Sequence, residues 1–405
     1  MSLEFRPIRD DEVDAYLDVM ELACGIEISD VQRPRSRKNM EVSRMRGAID
    51  NGKVVATFNA YPIELTVPGN VIPLSGVSQV TVAPTHRRRG ILTKLMTSHF
   101  EEARERGDLM AGLWASEGHI YPRYGYGVAS YHQAARILKP FAKMNLQSSP
   151  DVSIEMVNTA QARDVLPGIY DRARPRIPGM LSRTANWWEF RILADPPQGR
   201  QGATPFRHAV LSRAGQPEAY AIYYHRLPNG YGSLELHLVE IIAVNDQAEL
   251  ALWDYLLNID LTVLISYWNQ PVDSIVVPRT IESRRWELSK QDSLWLRPVD
   301  LPAALLARHY SSSGQLVIEC QDDQCPWNTG RFLLSVDESG VAACQPTSRD
   351  AQLHMTPREI GALYLGGVSA YELWRSGLLH GDEKSVIAID RLFRWHRQPW
   401  CPHIF

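Results

Sequence analysis

Residues 77–93 read Val77-Ser-Gln-Val80-Thr81-Val82-Ala-Pro84-Thr85-His-Arg87-Arg88-Arg89-Gly90-Ile91-Leu92-Thr93, and this run decides the fold. Val77, Val80 and Val82 form a β-branched run suited to a buried strand. Pro84 and Thr85 end it. After Gly90, residues Leu92, Leu95, Met96 and Phe100 recur on one helical face. The order is therefore strand, short basic loop, helix. A helix start leaves backbone N–H groups unpaired and carries partial positive charge. That combination binds phosphate. Gly90 has no Cβ, so a ligand can approach the backbone closely. The arginine triplet adds positive charge. A solvated basic turn is the plainer reading of the triplet, but the flanking strand and amphipathic helix favour the phosphate cradle.

The rest of the chain limits the alternatives. A length of 405 residues suits two to three domains, at roughly 150 residues each. With 44% hydrophobic and 22% charged residues, the chain has the material for a large core. Forty-three basic residues face 46 acidic ones, a net charge of −3, and no wider basic stripe accompanies the triplet. Nucleic acid is therefore not an expected partner. Nor is a membrane, since no apolar run reaches the roughly 18 residues of a spanning helix. The first ten residues lack the apolar core of a signal peptide, so a cytoplasmic location is expected. The five cysteines are Cys24, Cys320, Cys325, Cys344 and Cys401. An odd count suits reduced thiols. Cys320 and Cys325 have no matching His or Cys pair, so no metal is expected. Cys24 has no local signature of a nucleophile.

Three regions follow from the pattern. In residues 1–148 a helix is expected over 10–23, and strands over 53–59 and 63–67 form a hairpin with Tyr61-Pro62 near its turn. The strand at 77–82, a helix over 90–106, a buried strand over 109–114 and a last strand over 129–138 complete a mixed α/β sheet. The polar run Gln147-Ser148-Ser149-Pro150 marks a boundary. Residues 149–297 repeat the theme, with strands at 208–212, 220–225 and 234–244. A helix carrying Leu250, Trp253, Leu256 and Leu257 on one face follows. Its entry loop, Asn245-Asp246-Gln247, lacks Arg-x-x-Gly and carries an acid that opposes phosphate. This region reads as a second domain of the same type without a cofactor, or as an unrelated α/β domain. Residues 298–405 place strands at 315–320, 331–336 and 341–345 before helices. Thr356-Pro357-Arg358-Glu359 is a capping box with Pro at the first helical position. Strands followed by helices indicate an α+β domain.

The strand–loop–helix run resembles the acyl-CoA loop of the GNAT superfamily of acetyltransferases, Arg/Gln-x-x-Gly-x-Gly/Ala, except that its last position is Leu92. Residues 115–127 read Ala-Ser116-Glu117-Gly-His119-Ile-Tyr121-Pro122-Arg-Tyr124-Gly-Tyr126-Gly. Taken together, the two segments resemble the Eis (enhanced intracellular survival) family, in which an apolar residue also ends the loop. The resemblance implies two tandem GNAT-like mixed-sheet domains, α/β in class, and a C-terminal α+β domain of sterol-carrier-protein type. It spans the whole chain, with specific motifs in 77–127 only.

By that resemblance the chain is an acetyl-CoA-dependent N-acetyltransferase acting by direct transfer. Acetyl-CoA would contact Val80, Thr81 and Val82 on the strand. In the loop and helix start it would contact Arg88, Arg89, Gly90, Ile91, Leu92 and Thr93, and beyond them Ser116 and Glu117. Tyr121 corresponds to the family's general acid, although Pro122 departs from the usual residue there. Chemically, a phenol of pKa about 10 stays protonated at neutral pH and can donate to a departing thiolate. Tyr124 and Tyr126 offer the same chemistry, and His119 is a candidate base. The family's general base is the terminal α-carboxylate, here that of Phe405. The local sequence Pro399-Trp400-Cys401-Pro402-His403-Ile404-Phe405 is apolar and stiffened by proline, which suits either that role or simple packing. The implied acceptor is a small-molecule amine of aminoglycoside type or a lysine side chain, and the implied assembly is a homo-hexamer. A non-catalytic CoA-binding protein and a lipid-binding protein are the rival readings.

Overall fold

A computed structural model describes residues 3–145, 151–228, 230 and 232–405. The boundary expected at 147–150 lies outside the described residues. In chain order the first strands are β1 (Glu4–Pro7), β2 (Arg46–Asp50), β3 (Lys53–Val67), β4 (Asn70–Val82), β5 (Met110–Trp114), β6 (Gly127–Val128) and β7 (Tyr131–Leu138). Next come β8 (Val152–Val157), β9 (Arg207–Arg213), β10 (Gln216–Arg226), β11 (Leu234–Ala243), β12 (Thr262–Pro271), β13 (Glu287–Asp292) and β14 (Leu294–Pro298). The last are β15 (Gly314–Cys320), β16 (Gly330–Val336), β17 (Ala342–Pro346), β18 (Leu353–Met355) and β19 (His380–Gly381). Four helices matter below: α1 (Val13–Cys24), α2 (Ile91–Glu105), α3 (Asp246–Asn258) and α4 (Pro357–Leu363).

Three sheets result, ordered β1-β2-β3-β4-β5-β14-β6, β13-β7-β12-β11-β10-β9-β8 and β17-β16-β15-β18-β19. They fall into two compact units. One gathers the chain up to Ser130 with Ser293–Pro399 and His403–Phe405, and so holds the first and third sheets. The other comprises Tyr131–Asp292 and Trp400–Pro402.

Two expectations are corrected. The hairpin does not turn at Tyr61-Pro62. β3 is one strand through Val67, paired with β4 down to Val67↔Asn70. β2 pairs with β3 only as far as Phe58. Pro62 therefore lies where one side of β3 has no strand partner among the described residues, and there a missing N–H costs little. The strand expected to close the first region, β7, pairs instead with β12 and β13 in the second sheet. Its place beside β5 is taken by β14. All five residues of β14 are buried, with Leu294, Trp295 and Leu296 among them, whereas β7 alternates buried and exposed positions over its second half, Ala135–Leu138. A central strand covered on both faces needs the more continuous apolar run.

In the first domain α2 packs one face on the sheet through Ile91, Leu95, Met96, Phe100 and Ala103. In the second, β11 and β12 run parallel and α3 connects them. Trp400 belongs to that second core, where Asn269 Nδ2 donates to the carbonyls of Cys401 at 3.1 Å and Pro402 at 2.9 Å. In the third sheet's domain the capping box forms. Glu359 Oε2 accepts from the Thr356 N–H at 2.8 Å, and the Thr356 hydroxyl accepts from the Arg358 N–H at 3.3 Å. Among the described residues no helix is long and apolar enough to cross a membrane.

Candidate active site

β4 and β5 pair in parallel at only three positions, Leu74↔Met110, Ser75↔Ala111 and Gly76↔Gly112. Beyond them β4 runs on to Val82, so the two strands part as a fork. A bulge sits in the free arm of β4. Thr57 pairs with Thr81 but Asn59 with Ser78, which leaves one extra residue on β4, and Gln79 takes φ +53°. Such a bulge releases backbone groups from the ladder. Val80, Thr81 and Val82, just past it, line a cavity of about 720 Å³.

The basic loop closes one end of this cavity. Arg88 and Gly90 both have left-handed backbones, φ +62° and +75°. Gly90 is the N-cap of α2 and has no side chain to bond the first-turn N–H groups, and that turn contains no acid. A Cβ built on Gly90 would meet no atom within 4 Å. The cradle is therefore open to a phosphate group on its outer side. Arg87 is committed to structure. Its Nε donates to the Val82 carbonyl at 3.3 Å and its Nη2 to the Ala23 carbonyl at 3.0 Å, tying the loop to the end of α1. His86 holds the loop from the other side, 3.1 Å from Asp50 Oδ2.

The second domain shows why the same unit there does not offer such a cradle. Asn245 caps α3 with its own side chain, accepting from the Ala248 N–H at 2.8 Å. Asp246 and Glu249 occupy the first turn. One donor is taken and the local charge is negative.

Tyr121 enters the cavity from a 3-10 turn, Tyr121–Tyr124. It is buried, and its ring meets Tyr126 edge-on at 6.1 Å. Burial raises its pKa above that of a free phenol, partly offset by a hydrogen bond with the Ser116 side chain. The other two tyrosines differ. The Tyr124 hydroxyl also borders the cavity but lies 3.1 Å from Thr93 Oγ1, and Tyr126 is wholly buried away from it. His119 is on the rim, exposed, 3.6 Å from a Glu117 oxygen.

The geometry brings together Val80, Thr81, Val82, Arg88, Gly90, Ile91, Leu92, Thr93, Ser116, Glu117 and Tyr121 around one space. Arg89 is exposed and does not line it. Phe405 does not line it either, but it is buried against the root of the fork. A Cβ on Gly76 would lie 3.2 Å from Phe405 Cε2. Gly76 pairs with Tyr61, so the ring lies on the sheet face that carries Tyr61, Asn59 and Thr57.

That face holds residues the sequence reading did not select. Thr57 Oγ1 donates to the Gln79 carbonyl at 2.7 Å and lies 2.6 Å from Thr81 Oγ1. Tyr16 of α1 donates to Gln79 Oε1 at 3.2 Å, and Gln79 Nε2 donates to the Tyr61 hydroxyl at 3.3 Å. Asn59 is fully buried, and neither polar atom of its side chain has a partner among the described residues. Alternating Thr-x-Asn-x-Tyr on a predicted strand was the one available signal. Cys24, at the end of α1, also lines the cavity. Among the described residues no group of three or more His, Cys, Asp or Glu side chains is arranged to hold a metal ion.

Comparison with known proteins agrees with this architecture. Residues 4–129 match an acetyltransferase (GNAT) domain family and residues 179–297 a second acetyltransferase (GNAT) domain family. Residues 301–402 match the sterol carrier protein domain family. An uncharacterised N-acetyltransferase of Streptomyces coelicolor is 33% identical over 416 residues, covering 100% of both chains. The N-acetyltransferase Eis of Mycobacterium tuberculosis is 33% identical over 352 residues, 84% of this chain and 83% of the relative. The crystal structure of Eis1 from Mycobacterium abscessus superposes with a TM-score of 0.88 at 28% identity, covering 99% of this chain and 100% of that one. Two GNAT domains followed by a sterol carrier protein domain, with relatives at this identity along most of their length, establish that the chain is an acetyltransferase belonging to the Eis family of GNAT N-acetyltransferases.

Proposed function

We propose that the first-domain cavity takes acetyl-CoA and that the acetyl group passes directly to a primary amine within one ternary complex. The observation that carries this reading is the pairing of an open, acid-free helix start with a buried, protonated Tyr121 in one cavity. Acetyl-CoA supplies the acetyl thioester. The α2 N–H groups, Gly90 and Arg88 hold its diphosphate. Val80–Val82 offer backbone groups to the pantetheine arm, and Ser116 and Glu117 border the far side. The amine nitrogen bonds to the thioester carbon as the C–S bond breaks, and Tyr121 gives its proton to the departing sulfur. The phenol stands above 10, so Tyr121 is protonated and available as donor at neutral pH. A CoA thiol has a pKa of about 8.5, so the transfer is completed as the phenolate regains a proton from the ammonium of the adduct.

The ammonium proton must leave as well. The α-carboxylate of Phe405, whose ring lies on the face of Asn59 and Tyr61, receives or relays it. The acceptor enters from that face, under α1, and is an aminoglycoside-like or lysine-like amine. A homo-hexamer in the cytoplasm is the proposed assembly. Direct transfer is supported by Cys24, the cysteine bordering this cavity. Cys24 is exposed overall, but partial desolvation of its thiol raises the pKa, which disfavours a thiolate nucleophile. Initial rates over a matrix of acetyl-CoA and amine concentrations test this. Intersecting double-reciprocal lines are expected, and parallel lines would replace direct transfer with an acyl-enzyme.

A further inference from the structure

The turn that carries Tyr121 is held by a strand remote in sequence and, through it, by the domain of the third sheet. Its last residue, Tyr124, offers a backbone carbonyl, and Arg297 Nη1 donates to it at 2.8 Å. Arg297 lies on β14, is fully buried, and stacks its guanidinium 4.1 Å from the Phe100 ring. Its Nη2 donates to Asp322 Oδ2 at 2.5 Å. Asp322 lies just past β15, in the domain of the third sheet, and is itself fixed. Its Oδ1 accepts from the N–H groups of Gln324 and Cys325 at 3.1 and 3.0 Å, and its Oδ2 accepts from Asn328 Nδ2 at 3.0 Å. The same domain presses on the residues after the turn. A Cβ on Gly125 would lie 2.9 Å from Pro357 Cβ, and one on Gly127 would lie 2.0 Å from the Arg358 carbonyl oxygen.

A four-residue 3-10 turn has poor internal hydrogen bonds. A proton donor displaced by about 1 Å loses about two orders of magnitude in rate. A buried ion pair adds little net stability over an apolar replacement, because desolvation offsets the attraction. Stability is therefore a weak reason for burying Arg297 and Asp322, while the bond to Tyr124 gives the pair a definite object. We propose that Arg297 and Asp322 are positioning residues that hold the Tyr121 turn against the cavity, so that the sterol-carrier-type domain serves acetyl transfer by fixing its proton donor. The proposal rests on Tyr121 being that donor.

A double-mutant cycle tests it. The double variant Arg297→Met/Asp322→Asn removes both charges together and keeps an acceptor for the Gln324 and Cys325 N–H groups. It is made in the natural chain and in Tyr121→Phe, and kcat, acetyl-CoA Kd and Tm are measured for all four proteins. The expected result is a kcat loss of about tenfold or more in the natural background with Kd within about twofold. In Tyr121→Phe the same change then costs less than about twofold, because the group it positions has already gone. A full multiplicative loss in the Tyr121→Phe background, or no loss in the natural one, overturns the proposal. Should the double variant fail to fold, Arg297→Lys, which keeps the charge but not the fork, enters the same cycle with the same criteria. If Tyr121→Phe alone retains full kcat, both the donor assignment and the positioning role fall, an outcome distinct from the multiplicative one.

Discussion

The proposed phosphate cradle centres on Gly90, and replacing it separates shape from charge. Asn and Asp are nearly isosteric, and both tolerate the left-handed backbone better than other L residues. At φ +75°, with no atom within 4 Å of the added Cβ, either substitution fits without a clash. Each should therefore cost no more than about 1–2 kcal/mol of stability, mostly from the backbone. They differ in one negative charge facing the diphosphate. Two charges about 5 Å apart at an effective dielectric of about 20 interact by about 3 kcal/mol. That is about two orders of magnitude in Kd. Calorimetric titration of acetyl-CoA into both variants reads this difference. Gly90→Asp should bind about a hundredfold more weakly than Gly90→Asn, and the gap should narrow as salt rises. Equal affinities would show that no phosphate lies near the α2 start.

Tyr121→Phe should lower kcat by about tenfold to a few thousandfold with acetyl-CoA affinity unchanged, as read by steady-state thiol release. A C-terminal tag, which keeps the Phe405 ring but converts its carboxylate to an amide, should depress kcat by at least tenfold, on the order of general-base loss, with Tm preserved. An equally fast tagged enzyme would move the base role to His119. His99 of α2 is buried, its Nε2 has no partner among the described residues, and burial pushes its pKa down to about 3. The unfolded chain binds that proton below about pH 6.5. Stability therefore stays whole above pH 6.5 and falls by about 1.4 kcal/mol per pH unit towards pH 3. Denaturant unfolding of the natural chain at pH 6.5 and 5 should show about 2 kcal/mol of loss from this group, and His99→Leu should remove it.

What was legible in the sequence was local. The strand, basic loop and helix around Gly90 follow from residues within a few positions of one another, as does the capping box at Thr356. Non-local choices were hidden. Nothing in residues 129–138 says which sheet β7 joins, because both sheets offer a partner edge to an alternating strand. β14 wins the place beside β5 through burial that only the assembled core imposes. Pro62 looked like a turn because its missing donor is harmless only where β2 has ended. At the site, the Arg-x-x-Gly pattern marked the open helix start, but spacing did not show that its Arg87, which borders the cavity, also ties the loop to the carbonyls of Val82 and Ala23. The Gln79 bulge, the unpartnered Asn59 and the Arg297–Asp322 pair depend on contacts between distant segments, so spacing does not reveal them.

Acetyl transfer from acetyl-CoA to an amine at the first-domain cavity can be read by incubating the purified protein with acetyl-CoA and a panel of amines, covering an aminoglycoside, a lysine peptide and simple alkylamines. Released thiol is counted against acetylated amine by mass spectrometry. One thiol is expected per amide formed for at least one amine, with both signals falling together in Tyr121→Phe. Thiol release with no amine acetylated, or full amide formation by Tyr121→Phe, would contradict it.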